Sequence, residues 1–384
     1  MKKKSEFEVA KKKKEREKRL KKLPILIICI CAAVGIYAMR YEIAGMGIGV
    51  ILEDSFAKMF DNNGYPCETE GTATMLEGVG KRAVLLSESG FEVFNEAGNK
   101  VLGKKKFLSE PLAKVNGKKL LLFSQSGKEM ALYSGDVCLY EGKTANPIYN
   151  AELAKNGFIA YSTSEFGYQS SVRVLDKSFD EVFLWVSAES IITDLSMDAE
   201  ADNLICFGVG FLDGELCSYG YGFELNTGNE KTKLVFPGEL VIDSMYLSDG
   251  KVMVLTDKSV KVIDRSGKVS SDFSFKHQKL NAYCFKENGE LAVSLGDFSS
   301  KRGTDFIVLD STLKNAKSTF LFEDVGFIDY HKGDYVAFSD DRFVVLDPAL
   351  GFKKKGHCPD AICEKVIGDY VYYTTENSLE RIKL

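Results

Sequence analysis

The chain has 384 residues, of which 45% are hydrophobic and 27% charged, so it can bury a substantial core. Its formal charge of −5 hides an asymmetry, because residues 1–22 hold ten lysines and two arginines against four glutamates, a charge of +8 that leaves −13 on the remainder. An acidic body repels phosphates, and this composition therefore argues against nucleic acid as a partner.

Residues 23–39, LPILIICICAAVGIYAM, contain no charged side chain and directly follow the basic tail. A helix of this length covers roughly 25 Å, slightly less than a hydrocarbon core, and the flanking basic side chains can reach the headgroups. No small-residue cleavage site follows, and Cys29 and Cys31 each follow isoleucine, which argues against a cleaved or lipoprotein signal. The charge pattern predicts a single-pass signal anchor, with residues 1–22 cytoplasmic and the rest extracytoplasmic.

Residues 40–64 form the predicted juxtamembrane linker. Apolar side chains recur in it at helical spacing, which predicts a short amphipathic helix over residues 51–60 that ends at the DNNG of residues 61–64.

Residues 65–384 contain a repeat, which predicts one domain. A turn followed by an apolar strand recurs eight times, first at Lys81 and last at Gly368, so that the steps average about 41 residues. The copies are KRAVLLS (81–87), KKLLLFS (118–124), NGFIAYS (156–162), DNLICFG (202–208), GKVMVLT (250–256), GELAVSL (289–295), GDYVAFS (333–339) and GDYVYYT (368–374). This period is typical of four-stranded blades and predicts an all-β, eight-bladed β-propeller. Seven blades is the alternative, if the irregular residues 163–234 merge two units.

An alternating strand follows these copies and in most of them ends at an aspartate or asparagine before a turn. Such side chains accept hydrogen bonds from the backbone N–H groups of the turn, so we predict structural rather than catalytic roles for them. They are Asn95, Asp176, Asn226, Asp264, Asp310 and Asp347.

The last unit contains only three predicted strands, the third at residues 378–384. We expect residues 65–70, YPCETE, to supply its fourth strand and close the ring, which removes an exposed sheet edge.

These repeats, together with NPIYNAELAKNGFIAYST (146–163) and FLWVSAESIITDLSMD (183–198), resemble a family of uncharacterised bacterial proteins, mainly from Gram-positive organisms. The resemblance implies a basic tail, one membrane span and an extracytoplasmic propeller-like domain of unknown function. It carries no catalytic residues across to this sequence.

No motif of enzyme or cofactor chemistry stands out. The chain lacks a G-x-S-x-G elbow, a P-loop and a C-x-x-C pair, and its single tryptophan argues against a quinone-dependent propeller enzyme. Asp198, Glu200 and Asp202 alternate as in part of a calcium loop, but the glycine and distant glutamate of such a loop are missing, which favours a turn. We therefore predict no catalytic, cofactor-binding or metal-ligating residue and no cofactor.

Seven cysteines are scattered over residues 65–384, which does not indicate a disulfide framework. Cys358 and Cys363 in CPDAIC are close enough in sequence to pair, and the sequence leaves that pairing open.

The leading hypothesis is a membrane-anchored binding or scaffolding module at the cell envelope, with an envelope protein as its partner. The alternatives are an extracytoplasmic carbohydrate-active enzyme with carboxylates in the propeller funnel, or a ligand sensor that signals through the single span, and enzymatic activity stays undecided. An exposed apolar or aromatic patch on one face would favour protein partners, whereas converging carboxylates would favour the enzyme.

Overall fold

The computed structural model describes residues 64–105, 108–297 and 303–384. Within these ranges the chain forms 32 β-strands in eight four-stranded antiparallel sheets. The predicted eight-bladed propeller is confirmed, and the seven-bladed alternative is wrong because residues 163–234 belong to two separate blades with long strands. The predicted tail, anchor and linker helix lie outside the described residues. In the described ranges, no helix has the length and apolarity needed to cross a membrane.

We label the strands of each blade A to D in hydrogen-bonded order from the central channel to the rim. Blade 1 comprises β2 (Met75–Val79), β3 (Arg82–Ser87), β4 (Gly90–Phe94) and β5 (Lys100–Lys105). Blade 2 comprises β6 (Pro111–Asn116), β7 (Lys119–Ser124), β8 (Glu129–Ser134) and β9 (Val137–Lys143). Blade 3 comprises β10 (Ile148–Leu153), β11 (Ile159–Glu165), β12 (Tyr168–Leu175) and β13 (Glu181–Ser187). Blade 4 comprises β14 (Ser190–Met197), β15 (Asn203–Leu212), β16 (Glu215–Glu224) and β17 (Asn229–Pro237).

The second half of the ring follows the same order. Blade 5 comprises β18 (Val241–Tyr246), β19 (Val252–Thr256), β20 (Ser259–Ile263) and β21 (Val269–Ser274). Blade 6 comprises β22 (Lys279–Phe285), β23 (Leu291–Gly296), β24 (Thr304–Leu309) and β25 (Ala316–Leu321). Blade 7 comprises β26 (Phe327–His331), β27 (Asp334–Ser339), β28 (Arg342–Leu346) and β29 (Phe352–His357). Blade 8 comprises β30 (Cys363–Ile367), β31 (Tyr370–Thr374), β32 (Ser378–Lys383) and β1 (Cys67–Glu68).

Antiparallel pairing gives the propeller two distinct faces. The A–B and C–D turns lie on one, which we call the AB face, and the B–C turns with the connections between blades lie on the other, the BC face. These two faces and the channel between them are the places where the molecule can meet a ligand or partner.

The core is divided among the blade interfaces. In the described residues, buried apolar side chains form eight clusters, one at each interface between neighbouring blades. The B strands explain this arrangement, because successive side chains of a strand point to opposite faces and both faces of an interior blade are covered. Val84 and Leu86 pack toward blade 2, for example, whereas Ala83 and Leu85 pack toward blade 8. The repeated apolar runs in the sequence are these doubly covered strands.

The N-terminal strand closes the ring as predicted. Cys67 and Glu68 of β1 pair with Leu379 and Ser378 of β32, so the two ends of the described chain share blade 8. The outermost strand of that blade is thus supplied from the other end of the sequence, and it covers the Ser378–Leu379 end of the β32 edge.

A cluster of aromatic side chains around one arginine holds this closing strand. The Arg381 guanidinium lies 4.4 Å from the ring centroids of both Tyr65 and Tyr370, and the Tyr65 ring packs edge-on against Tyr372 at 5.4 Å. The Tyr65 hydroxyl donates to the Asn95 carbonyl oxygen at 2.8 Å. Because Asn95 begins a C–D turn, the N-terminal segment enters the propeller from the AB face.

Five of the six predicted Asx turns have the expected hydrogen bonds. In each, the side-chain oxygen accepts backbone N–H groups from the residues two and four positions later. They are Asn95, Asp176, Asp264, Asp310 and Asp347. Asn226 also lies in a turn, but its amide donates to Asp202 at 3.0 Å, and the Glu224 carbonyl closes the turn instead.

The described cysteines are free thiols, including Cys358 and Cys363. Cys358 is fully buried between blades 7 and 8, whereas the Cys363 thiol faces the Ala73 carbonyl oxygen at 3.7 Å. The pairing that the sequence left open is therefore not formed.

Replacing Tyr65 tests the closing cluster. We expect Tyr65→Ala to lower the free energy of unfolding of the full-length protein by about 2 kcal/mol, because it removes the aromatic and cation–π contacts. Tyr65→Phe loses one hydrogen bond and costs about 1 kcal/mol. Urea denaturation measures both. The exposed Tyr168→Ala is the matched control, and an equal effect of the two alanine variants would contradict a closing role.

Candidate functional site

The central channel brings ionisable side chains from all eight blades together. Each A strand contributes one member of this set, which comprises Glu77, Lys114, Glu152, Asp194, Asp243, Tyr283, Asp329 and Lys365. Ionised groups are costly to remove from water, so their pairing decides what the channel can bind.

On one side of the channel, Lys365 of blade 8 lies between two carboxylates. Its ammonium is 3.3 Å from Glu77 and 3.7 Å from Asp329. Burial disfavours the charged ammonium, but Asp329 and Glu77 outweigh it and raise the pKa of Lys365. Asp329 also accepts the Val366 N–H at 3.0 Å and so joins blade 7 to blade 8. This triad has the contacts of a structural link between blades.

Across the channel lies a second group, the channel cluster, formed by Lys114, Glu152, Asp194 and Asp243. The Lys114 ammonium is 3.2 Å from a Glu152 carboxylate oxygen, and this carboxylate raises the pKa of Lys114 despite burial. Burial raises the pKa values of Glu152 and Asp243. One lysine thus faces three carboxylates, and the cluster is short of positive charge.

Asp194 is the most perturbed acid of the channel cluster. Its side chain is only 3% exposed and accepts the Ser244 hydroxyl at 2.5 Å. Burial, followed by the nearby Asp243 carboxylate, raises the pKa of Asp194 to about 8. The shift favours the neutral, protonated form of this carboxyl, which lessens the shortage of positive charge.

The channel cluster lies at the inner end of a cavity on the AB face. This cavity has a volume of about 710 Å³ and lies under the A–B turns of blades 3, 4 and 5, extending outward between blades 4 and 5. Glu152 and Ser244 belong to its wall, so a molecule in the cavity can reach the channel cluster. A volume of this size accommodates a small organic molecule.

The BC face carries a different feature, which we call the hairpin patch: Phe166, Tyr168, Phe211, Leu212 and Leu216. Phe166 is 97% exposed and Phe211 is 69% exposed, and the other three are also exposed. They lie at the B–C hairpin tips of the adjacent blades 3 and 4. Phe211 and Leu212 project past the flanking strands, because β14 and β17 pair only as far as Gly210 and Cys217.

The other fully described B–C turns carry polar residues instead. They are Glu88–Ser89, 125–128, Asp257–Lys258, Asp340–Asp341 and 375–377 in blades 1, 2, 5, 7 and 8. Blades 3 and 4 therefore depart from the pattern of the remaining described hairpins, and they do so by exposing large apolar side chains.

The three acids considered for calcium form a turn. Asp198 accepts the N–H groups of Asp202 and Asn203 and the Asn203 amide, which fills its carboxylate with protein donors. The A–B turn interpretation is confirmed. Among the described residues no three histidine, cysteine or acidic side chains are placed to hold one metal ion.

Sequence reasoning missed both the channel cluster and the hairpin patch. A signal for the first was present, because SIITDLSM and VIDSMY each place one aspartate inside an otherwise apolar or hydroxyl-bearing A strand. A signal for the second was the pair of apolar hairpins EFGY and FLDGEL among polar ones.

Comparison with known proteins places the chain in a family. Residues 57–384 match the family of unknown function DUF5711. The chain belongs to this family. No curated protein matches it.

Solved structures similar to this DUF5711 chain are propellers of low sequence identity. The C-terminal WD40 domain of Sif2 is 10% identical, with a TM-score of 0.59, and the match covers 82% of this chain and 96% of that one. Sqt1 from Chaetomium thermophilum is 12% identical, with a TM-score of 0.58, covering 84% and 99%. At such identities the likeness shows the fold alone.

The raised pKa of Asp194 predicts a pH-dependent stability. Unfolded aspartate ionises near pH ~4, whereas the folded protein keeps Asp194 protonated to about pH 8, so the folded state binds the extra proton and loses stability as the pH rises between these values. Asp194→Asn removes this loss, which is at most about 1.4 kcal/mol per pH unit. We expect urea denaturation to show that the free energy of unfolding of the variant increases relative to that of the wild type as the pH rises from 5 to 8.

Asp264→Asn is the control for this experiment. The Ser266 hydroxyl and the Lys268 N–H lower the pKa of Asp264, so both states are ionised above pH ~5 and the variant should run parallel to the wild type. If the stability of Asp194→Asn has the same pH dependence as that of the wild type, Asp194 is ionised in the folded protein.

Proposed function

We propose that the protein is a membrane-anchored binding and scaffolding module at the cell envelope, which docks a partner protein on the hairpin patch. The exposure of Phe166 and Phe211 is the observation that carries this proposal. Large exposed apolar side chains are costly in water unless a partner covers them, and aromatic residues dominate the energetics of protein interfaces.

The charges around the hairpin patch favour a protein over an anionic surface. Asp213 and Glu215 lie at the exposed tip between Leu212 and Leu216. Glu189, on the loop that enters blade 4, is paired with Lys233 at 2.5 Å. Acidic side chains repel anionic lipid headgroups and phosphates. A partner with apolar side chains flanked by basic ones is complementary to this surface.

The position of the predicted anchor agrees with such a role. The N-terminal segment enters at the AB face, so the hairpin patch lies on the opposite face from the attachment. The predicted linker could extend to at most ~80 Å, which leaves the disc free to face a partner away from the bilayer.

In-cell crosslinking of the full-length protein tests the docking surface. We expect the wild type to yield one recurrent envelope protein by mass spectrometry, and Phe166→Ser/Phe211→Ser to reduce its recovery by about tenfold or more, because two aromatic contacts are lost. Phe352→Ser is the matched control, since Phe352 is 65% exposed on the outer strand of blade 7. Equal recovery from the hairpin variant and the wild type would rule out this surface.

Cysteine labelling of intact cells tests the topology. Lys314→Cys places a thiol on an exposed turn of blade 6, and we expect a membrane-impermeant maleimide to label it without permeabilisation. Lys11→Cys in the basic tail should react only after permeabilisation. The reverse pattern would contradict an extracytoplasmic propeller.

The channel cluster favours a second candidate, an extracytoplasmic carbohydrate-active enzyme. Burial and Asp243 raise the pKa of Asp194 beside further carboxylates, and a pair of acids in different protonation states is the requirement for glycoside hydrolysis. Release of reducing ends from a cell-wall polysaccharide that disappears in Asp194→Asn would favour this candidate over docking alone.

A further inference from the structure

The AB-face cavity is suited to a ligand of defined charge. Its wall contains six carboxylates against three basic side chains. Two of these bases are already bound, because Lys231 pairs with Glu224 at 3.0 Å and the Arg265 Nε donates to the Asp249 carbonyl oxygen at 2.6 Å. Behind the wall, Lys114 faces both Glu152 and Asp243, so the channel cluster stays short of positive charge. Such a surface repels anionic ligands and attracts cations.

The spacing of the acids separates an organic cation from a metal ion. A calcium or magnesium ion requires several oxygen ligands within 2.0–2.6 Å of one point. In the described part of the chain no three acidic, histidine or cysteine side chains are so placed. An ammonium group carries three donors that reach in different directions, and it can therefore satisfy carboxylates that are further apart.

Part of the cavity wall is apolar. Between blades 4 and 5 the cavity is lined by Ile205 of blade 4 and by Val252 and Ile263 of blade 5, together with the polar Thr232. An alkyl stem attached to the ammonium would be removed from water there. The cavity thus combines Glu152 at its inner end and further carboxylates on the turns at its mouth with an apolar wall between blades 4 and 5.

We propose that this cavity binds a small organic ammonium ligand, with the cationic head at Glu152 and the neighbouring Asp194 and Asp243, and with an alkyl stem between blades 4 and 5. The head then supplies the positive charge that Lys114 alone does not provide. The site lies on the opposite face from the hairpin patch and is independent of docking there.

Calorimetric titration of the full-length protein in phosphatidylcholine nanodiscs tests the charge requirement. The probes are pentylamine and its matched neutral and anionic analogues, pentanol and pentanoate. We expect pentylamine to bind at least about tenfold more tightly than either analogue, because only it makes charge-assisted hydrogen bonds to the carboxylates. Equal binding of the three probes, or no binding of pentylamine, would overturn the proposal.

Substitutions locate the head group. Glu152→Gln and Asp243→Asn should each weaken pentylamine binding by about fivefold or more while pentanol binding stays the same. Glu215→Gln, on the hairpin tip of the BC face, is the matched control and should leave the affinity unchanged. Circular dichroism confirms folding, and the comparison of the probes on the wild-type protein decides the question even if a channel variant fails to fold. An unchanged affinity in both folded channel variants would refute this location.

Proton release provides a second readout. The titratable groups that face Asp194 are Lys114, Glu152, Asp243 and Tyr283, from the A strands of blades 2, 3, 5 and 6, and Cys206 from β15 of its own blade. A bound ammonium stabilises the ionised carboxylate, so at pH 7 we expect binding to release a proton, seen as a binding enthalpy that differs between phosphate and Tris buffers. Asp194→Asn should abolish this difference. Buffer-independent binding by the wild type would show that the head does not reach Asp194.

Discussion

No blade of this propeller can cover its own apolar side chains, and the rest of the structure depends on that constraint. Neighbouring residues of one B strand belong to different clusters, as Leu85 and Leu86 do at the two faces of blade 1. A single sheet would leave both faces in water, where each large apolar side chain costs roughly 1.5–3 kcal/mol. Each blade is therefore stable only between two others, and the complete ring is the unit that folds.

The ring in turn fixes where charge can lie. A-strand side chains converge on the axis whatever their polarity, and a rigid, close-packed scaffold does not let Asp194 or Asp243 turn outward to solvent. The energetic cost appears as raised pKa values and as the mismatch between three carboxylates and Lys114. The same rigidity separates the molecule's two candidate surfaces, because the cavity opens on one face and the hairpin patch on the other. A small ligand and a protein partner could occupy the propeller together.

Local patterns predicted most of the fold, and non-local convergence explains what they missed. Asp264 and Asp310 could be assigned to turns because every hydrogen-bond partner lies within a few residues. Blade closure by residues 65–70 followed from counting strands. Single aspartates in two A strands hinted at the channel cluster, but its members are about 40 residues apart and become neighbours only when adjacent blades pack around the axis. The direction of the Asp194 side chain also depends on an irregularity after Ile192, which shifts the pairing register between β14 and β15. The alternation of apolar and polar residues in the sequence does not reveal this shift.

Two smaller differences have the same origin. Cys358 and Cys363 are near in sequence, yet the blade boundary between them buries the first thiol in an interface and directs the second elsewhere. Asn226 has the right position for an Asx turn, but the long hairpin of blade 4 brings Asp202 within reach, and the side chain takes that partner. In each position a contact distant in sequence outweighs the local preference.

The closing strand has a mechanical consequence. β1 is only two residues long, and it is also the part of the ring that the N-terminal segment joins. Any pull on that segment is therefore delivered first to the pairing of Cys67 with Leu379 and to the contacts of Tyr65 with Arg381, before it reaches a complete blade. Tension would detach this strand and expose the edge of β32 while the other seven blades stay folded. The weakest point of the ring under load is thus also its point of attachment.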